Sequence, residues 1–461
     1  MQICDNKLHD LPPSSFSDLK NLLTSFTSDA DLGRVLRGAG ATFTIRVIAA
    51  VIAYVSMIAL ARWMGASEYG AFTYALTWIF LLALPAGLGL PVASVRFLPE
   101  YAAAGSWSRV RGLIGRSISL TIATSVLIAV VAIGFIMLAG DRVPTGYRAP
   151  LLIALISLPV FTLMALGSQI GRAFGWVVAA YAPGQIYHSL TLLIFAAAFI
   201  LGGLTLTART LIIASVVIAT LCVIGQSLVY ARRLRPQLRN LPPEHEQRAW
   251  LRVAGPLLLI DAFGALIMYS DILMIGLFLD PASVAYYVAA TRTAALVTFF
   301  FTSISALTGP KIAELYSQGR RDDVQDLLRG ISPWIALPAT AVTIALIAGG
   351  SLLLPLFGEG FEAGWLALIL LSIGNLVLSV NGPAATLLNM TGHQDTTAKV
   401  YFVATLANIA LNAILIPRFG IAGAALATAV SSGAMSSYLV FVAHRMLGIR
   451  TSLSFRRAAD T

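Results

Sequence analysis

The sequence predicts an all-α integral membrane protein of twelve transmembrane helices, arranged as two six-helix lobes. Three observations predict it. Of the 461 residues, 58% are hydrophobic and only 11% charged, with a mean hydropathy of +0.83, outside the range of a soluble domain. The apolar residues gather in segments of about 20, the length that crosses a hydrocarbon core. The second half also repeats the first. A shift of 214 or 215 positions lays Arg96 and Tyr101 on Lys311 and Tyr316, and Gly105, Val110 and Leu113 on Gly319, Val324 and Leu327. Two similar lobes about a pseudo-two-fold suit alternating access, because a site between them opens to either side as the lobes rock.

The spans follow in order. Residues 41–61 and 71–94 are apolar stretches divided by a turn near Arg62 and Gly65. The second holds LPAGLGLP at 84–91, where proline removes a helical hydrogen bond and glycine weakens the helix. A bending point and a tight packing of small residues are both open there. Residues 117–138 and 150–170 flank the longest outward loop, and 178–202 and 208–230 are interrupted near Pro183 and Gly202. The second lobe supplies 254–279, 284–308, 333–355, 363–388, 400–416 and 420–443, and its second span ends in Gly309-Pro310, where the same two readings are open. The lobes are thus 41–230 and 254–443. A hydrophilic, proline-bearing linker at 231–253 joins them, between tails at 1–40 and 444–461.

Lys and Arg are retained on the cytoplasmic side during insertion. With both termini inside, 24 of the 31 Lys and Arg fall on inner segments, 5 on outward loops, and 2, Arg46 and Arg292, within spans. Both termini are therefore expected in the cytoplasm. The net charge of +10 is spread over short inner loops, so it sets topology and touches anionic headgroups, and nucleic acid is not an expected partner. Cys4 and Cys222 offer no disulfide framework. No signal peptide is expected, since Asp5, Asp10 and Asp18 interrupt any apolar core, while Phe16, Leu19, Leu22, Leu23 and Phe26 allow an amphipathic helix on the inner surface or a weakly ordered tail. Short outward loops leave no room for a catalytic domain, and the chain shows no Walker motif or zinc-spaced His/Cys set. A membrane enzyme acting on lipid-linked glycans is therefore the least favoured class.

Residues 59–76 read ALARWMGASEYGAFTYAL and are followed by SVRFLPEY at 94–101; SDILMIGLFLDPASVAYYVAA stands at 270–290, LLNMTGHQ at 387–394 and NAILIPRFGIAGAALATAVS at 412–431. These passages resemble the oligosaccharide flippases of the multidrug/oligosaccharidyl-lipid/polysaccharide exporter superfamily, the group that includes O-antigen flippases. The resemblance implies a MATE-like fold with a central cavity, and export driven by an ion gradient or membrane potential. Its usual substrate is a polyprenyl-pyrophosphate-linked oligosaccharide, an O-antigen or exopolysaccharide repeat unit, flipped across a bacterial inner membrane. Membrane lipids and other membrane proteins of glycan assembly are the further partners it implies. No cofactor is expected, and Na+ or H+ is the expected coupling ion. Drug-exporting relatives share the architecture, so cation-coupled multidrug export is the alternative.

An ionisable group within a span is costly and generally faces protein or a water-filled cavity. Asp271 and Arg292 stand at matching depth on adjacent antiparallel spans. A fixed ion pair is one reading; a second is a switch in which protonation or cation binding at Asp271 frees Arg292 for substrate phosphate, and a third is that the two side chains face apart. Arg46 aligns with Asp261 on the 215-residue shift, so the two could form an inner gate, unless Arg46 snorkels to the interface. Arg46 and Arg292 are the expected pyrophosphate contacts, because guanidinium pairs with that group bidentately. Asp261 and Asp271 are the expected coupling or gating groups. Gln185, His188, Asn375, Asn381, Asn408 and Asn412 are polar handles, either for sugar hydroxyls or for bonds between helices.

Overall fold

The computed structural model describes residues 48, 50–140, 144–239 and 241–451, and from Ala50 onward they belong to one compact unit. All regular structure among them is helical, as a lipid-exposed chain requires, because each backbone polar group must find its partner within the segment. The first half comprises α1 (Ala50–Met64), α2 (Ala66–Ala86), α3 (Leu90–Ala103), α4 (Trp107–Ala139), α5 (Thr145–Ile156), α6 (Leu158–Ala173), α7 (Val177–Ala182), α8 (His188–Leu201) and α9 (Ala208–Leu238). A π-turn at Pro183–Tyr187 joins α7 to α8. The second half comprises α10 (Gln247–Phe278), α11 (Pro281–Ala294), α12 (Phe299–Ser317), α13 (Arg321–Leu353), α14 (Trp365–Val380), α15 (Ala384–Met390) and α16 (Gln394–Leu447).

The repeat seen in the sequence is a repeat of elements. α4 and α13 are both 33 residues long and begin 214 positions apart, and α2 and α11 begin 215 apart. The turns before α4 and α13 each hold a glycine at positive φ, Gly105 at 68° and Gly319 at 75°. An added Cβ would meet nothing within 4 Å at either, so it is backbone conformation and not space that requires glycine there.

Nine helical runs among the described residues are long and apolar enough to cross a membrane, or ten if the bent pair α5–α6 is one span. The expected twelve is reached only by counting the shorter α1 and by dividing α16. At 54 residues, α16 would measure about 81 Å against a hydrocarbon core of about 30 Å, and Gly420 within it is non-helical at φ 60°, ψ −139°.

Several boundaries differ from the apolar stretches. α4 begins at Trp107, α13 at Arg321, and α9 runs on to Leu238. Hydropathy marks the buried length, whereas good helix formers such as Arg and Leu carry the helix on into water. The second span breaks as expected at 87–89, with Leu88 at φ 52° and Gly89 at φ 70°. At Gly309-Pro310 α12 continues as a helix with Pro310 inside it, and an irregular turn lies earlier, a 3-10 segment at Ala295–Thr298. An additional break of 52° separates α5 from α6, where Pro159 denies α6 a donor in its first turn.

The distribution of the core positions the site. One large apolar cluster draws on both halves, joining Tyr69, Phe72 and Ile79 of α2 to Ile275, Val284, Ala285 and Tyr287 of α10 and α11. Toward the arginine-rich ends of the helices it gives way to two separate clusters. One surrounds Phe97, Val110, Leu166 and Tyr230 of the first half; the other surrounds Ile312, Val324, Leu387 and Leu439 of the second. The halves are therefore packed together at one end and parted at the other.

α10 links them. Its start belongs to the first half, where Trp250 donates to Tyr101 Oη at 3.0 Å and Tyr101 donates to Glu246 at 2.7 Å. The segment before it is strapped to the same half. Glu244 N–H donates to the Ser108 carbonyl at 3.1 Å, and Arg109 pairs with Glu244 and Glu246, each at 3.3 Å. Among the described residues the non-helical part of the expected linker thus shrinks to 239 and 241–246, and Glu244 and Glu246 tie it to α4.

Candidate functional site

The packed end is built from the two pseudo-equivalent helices α2 and α11. Gly70 has no side chain because the Pro281 carbonyl occupies its Cβ position, and Ala285 N–H lies 3.2 Å from that position. Beside it, Tyr54 of α1 shares a 2.9 Å hydrogen bond with Thr293 of α11. Following the α2-facing stripe of α11 inward from Pro281 and Ala285, the positions at i+7 and i+11 are Val288 and Arg292. Arg292 is exposed and makes no hydrogen bond or ion pair among the described residues, and its charge reaches Tyr69 of α2. It lies one helical turn beyond Val288 of the shared core.

Asp261 of α10 is also exposed. It lines a cavity of about 250 Å³ whose other walls come from the first half, among them Phe161, Ser168, Gln169, Gln185 and Gln226. Arg172 of α6 acts on it electrostatically. The cavity forms where the α2–α3 break and the π-turn of the fifth span move backbone aside. Amides, a hydroxyl, a carboxylate and an aromatic ring around one cavity can hydrogen-bond polyols and stack on a sugar face.

Asp271 lies elsewhere. It is 4% exposed and sits in a polar knot of four spans. Tyr287 of α11 donates to Oδ2 at 2.7 Å, the Thr428 hydroxyl of α16 donates to the same oxygen, and Asn412 donates to Oδ1 at 2.6 Å. Asn408 Oδ1 accepts from Asn412 at 3.0 Å and from Ser270 at 3.0 Å, and its amide reaches Ser431 at 3.1 Å. Asn412 Oδ1 is buried without a partner, in a place where an unpaired acceptor costs about 1–3 kcal/mol. The knot holds one carboxylate with neutral oxygens around it, a donor set that fits a monovalent cation or a proton and not a divalent metal.

This geometry corrects the expected Asp271–Arg292 pair. Tyr287, which holds Asp271, and Arg292 are five residues apart on one helix, about 140° around it, so the carboxylate and the guanidinium face different neighbours. Asp261 and Asp271 likewise belong to two sites. The sugar contacts are also corrected. Asn408 and Asn412 are 2% and 0% exposed and serve Asp271. Asn375 donates to the Ala294 carbonyl at 2.9 Å, Asn381 to Ser436 at 2.8 Å, and His188 Nε2 meets Ser215 Oγ at 2.9 Å. In an apolar medium these groups bond to neighbouring helices, and only Gln185 of the six lines the open cavity. Arg46 lies outside the described residues. Sequence reasoning missed Tyr287, Ser270, Thr428 and Ser431; the available signal was the Asn408/Asn412 pair at i, i+4 facing a hydroxyl-rich stretch at 428–432.

Two repeated helical halves, packed together at one end and divided into separate cores at the other, form a multi-pass helical fold of the MurJ and MATE kind. The fold is similar to that of the lipid II flippase MurJ in an inward closed conformation, with TM-score 0.69, 16% identity and 87% of each chain covered. It is also similar to an inward-facing multidrug resistance MATE family transporter of the MOP superfamily, with TM-score 0.70, 15% identity, and 87% of this chain and 94% of that one covered. The family model described as polysaccharide biosynthesis protein matches residues 35–315, and the chain belongs to that family. A relative from Haloferax volcanii, named a probable low-salt glycan biosynthesis flippase, Agl15, is 27% identical over 164 residues. That match spans 35% of this chain and 35% of the relative's length.

Proposed function

We propose that the protein flips a polyprenyl-pyrophosphate-linked oligosaccharide across a bacterial inner membrane. The observation that carries this reading is the division of the core, shared by the halves at one end and separate at the arginine-rich end, with Arg292 exposed and making no hydrogen bond or ion pair among the described residues. Positive-inside insertion assigns that end, and both termini, to the cytoplasm. The glycan enters from there and meets the amide- and carboxylate-bearing wall that holds Gln185 and Asp261. Its pyrophosphate pairs with Arg292, and with Arg46 if that side chain faces the seam. Release follows when the α2–α11 seam opens and the arginine-rich ends close. An O-antigen or exopolysaccharide repeat unit is the class of cargo, in keeping with the name of the Haloferax relative, a probable low-salt glycan biosynthesis flippase.

Coupling is proposed at Asp271. Bound there, Na+ or H+ would neutralise the single buried carboxylate and draw α10, α11 and α16 together. The neutral oxygens of Asn408, Asn412 and Thr428 complete its surroundings. This makes the protein a secondary transporter that uses an ion gradient and needs no cofactor.

The test is complementation after depletion of the protein in its native host, with lipid-linked oligosaccharide measured by mass spectrometry of lipid extracts. Arg292→Ala is expected to cut export by roughly ten- to a hundredfold, the worth of a charge-assisted pair, with protein abundance unchanged because Arg292 makes no hydrogen bond or ion pair among the described residues. Arg292→Lys should restore part of it. An unchanged lipid profile together with heightened sensitivity to cationic drugs would replace this reading with drug export.

A further inference from the structure

The first half carries a second cavity, of about 550 Å³, between α4, α6 and α9. Its floor is apolar, with Ile114, Ile118, Leu166, Ile170 and Val223 among the lining residues, and its rim holds Arg111, Arg235 and Arg239. None of the seam helices α2, α10 and α11 contributes a wall. Leu221, Ile224 and Leu228 on the adjoining face of α9 are exposed, so the groove opens to the surrounding bilayer and not to the seam.

The depth of the groove matches one leaflet. Arg233, two residues before Arg235, lies over the Trp176 ring at 5.0 Å, and Trp107 begins α4 four residues before Arg111. Tryptophans of this kind stand at the headgroup level. From Arg235 to Val223 is about 18 Å of helix, close to the roughly 15 Å of half a hydrocarbon core.

The rim arginines differ in what they already do. Arg111 donates to the Leu238 and Leu241 carbonyls at the end of α9. The side chains of Arg235 and Arg239 are exposed and make no hydrogen bond or ion pair among the described residues. Two free guanidinium groups at headgroup level, above an apolar slot one leaflet deep, complement a phosphate with a chain hanging beneath it.

We infer that this groove is a binding site for a resident anionic glycerophospholipid of the leaflet at the arginine-rich end. Its phosphate sits between Arg235 and Arg239, and one acyl chain lies against Ile118, Leu166 and Val223. The occupant is a resident lipid and not cargo, because the groove lies off the seam through which cargo would pass. Bound there it ties α4 to α9 beside the strap formed by Glu244 and Glu246, and so stiffens the half on which α10 is anchored.

The experiment titrates delipidated full-length protein in detergent with phosphatidylglycerol and with phosphatidylcholine of the same acyl chains, read by native mass spectrometry. One phosphatidylglycerol is expected to bind in preference to phosphatidylcholine. The double variant Arg235→Gln/Arg239→Gln should weaken phosphatidylglycerol roughly tenfold or more, each surface arginine contributing on the order of 1 kcal/mol, and leave phosphatidylcholine unchanged. Ser227→Trp, at an exposed lining position, should reduce phosphatidylglycerol binding by filling the slot with both arginines in place. Equal binding of the two lipids to the unaltered protein overturns the proposal, as does a double variant that binds phosphatidylglycerol normally. Displacement of phosphatidylglycerol from the unaltered protein by equimolar undecaprenyl phosphate overturns it in favour of a cargo-carrier site.

Discussion

Replacing Gly70 by alanine is expected to abolish export while the protein still inserts into the membrane. The methyl group would coincide with the Pro281 carbonyl, and neither partner can give way by rotating a side chain, since both are backbone. α2 and α11 must then separate. Overpacking of this kind costs typically 1–3 kcal/mol, which as a coupling energy is roughly a 5- to 150-fold shift between the two arrangements of the seam. The shift should be visible directly. In a Thr73→Cys background, a membrane-impermeant maleimide added from outside should label poorly with Gly70 intact and strongly with Gly70→Ala. Gly225→Ala is the control, because a Cβ at Gly225 on α9 meets nothing within 4 Å; it should leave both export and labelling unchanged. Unchanged labelling in Gly70→Ala would mean that this contact is not the closed gate.

The architecture was legible in the sequence because the bilayer imposes its own ruler. Apolar length marks spans, arginine marks one side, and a displacement of 214 or 215 residues survives in the matched lengths of α4 and α13. What the ruler does not measure is where a helix ends in water, which is why α4, α9 and α13 outrun their apolar stretches. Breaks were only partly legible. Glycine on both sides of Leu88 frees the backbone enough to interrupt the second span, whereas Pro310 sits inside α12 and is accommodated there. Rotation about the helix axis was the weakest inference. Sequence position suggests a depth for Asp271 and Arg292, yet their facing depends on which neighbours pack where, and that follows from contacts far apart in the chain, such as Asn412 to Asp271. The same limit explains the asparagines, whose identity signals a bond within the membrane without saying whether helix or substrate supplies it.

Asp271→Asn is expected to keep the protein folded but remove its response to the coupling ion. The substitution preserves volume, so the cost falls on hydrogen bonding. The carboxylate accepts from Tyr287, Asn412 and Thr428, and an amide offers one oxygen and a donor in its place. Hydroxyls of Tyr287 and Thr428 can turn to suit, but the Asn412 amide would meet a like group unless it flips. A flip would also pair its orphaned oxygen, so the net loss should stay near 1–3 kcal/mol, the worth of one unsatisfied buried group. Asp271→Ala has no such repair, leaves three donors without an acceptor, and should lower protein abundance. The decisive reading is thermal unfolding of purified protein in NaCl against choline chloride at equal ionic strength and fixed pH. If a cation occupies the knot, the unaltered protein gains stability with Na+, about 2.7 kcal/mol at a hundredfold excess over its dissociation constant, and Asp271→Asn gains none. If a proton does the coupling, Na+ has no effect on either protein; lowering the pH raises the unaltered protein's stability relative to Asp271→Asn, which already lacks the charge. Indifference of the unaltered protein to both ions would leave Asp271 as a structural tie between α10, α11 and α16, and coupling would then have to lie with Asp261 in the open cavity.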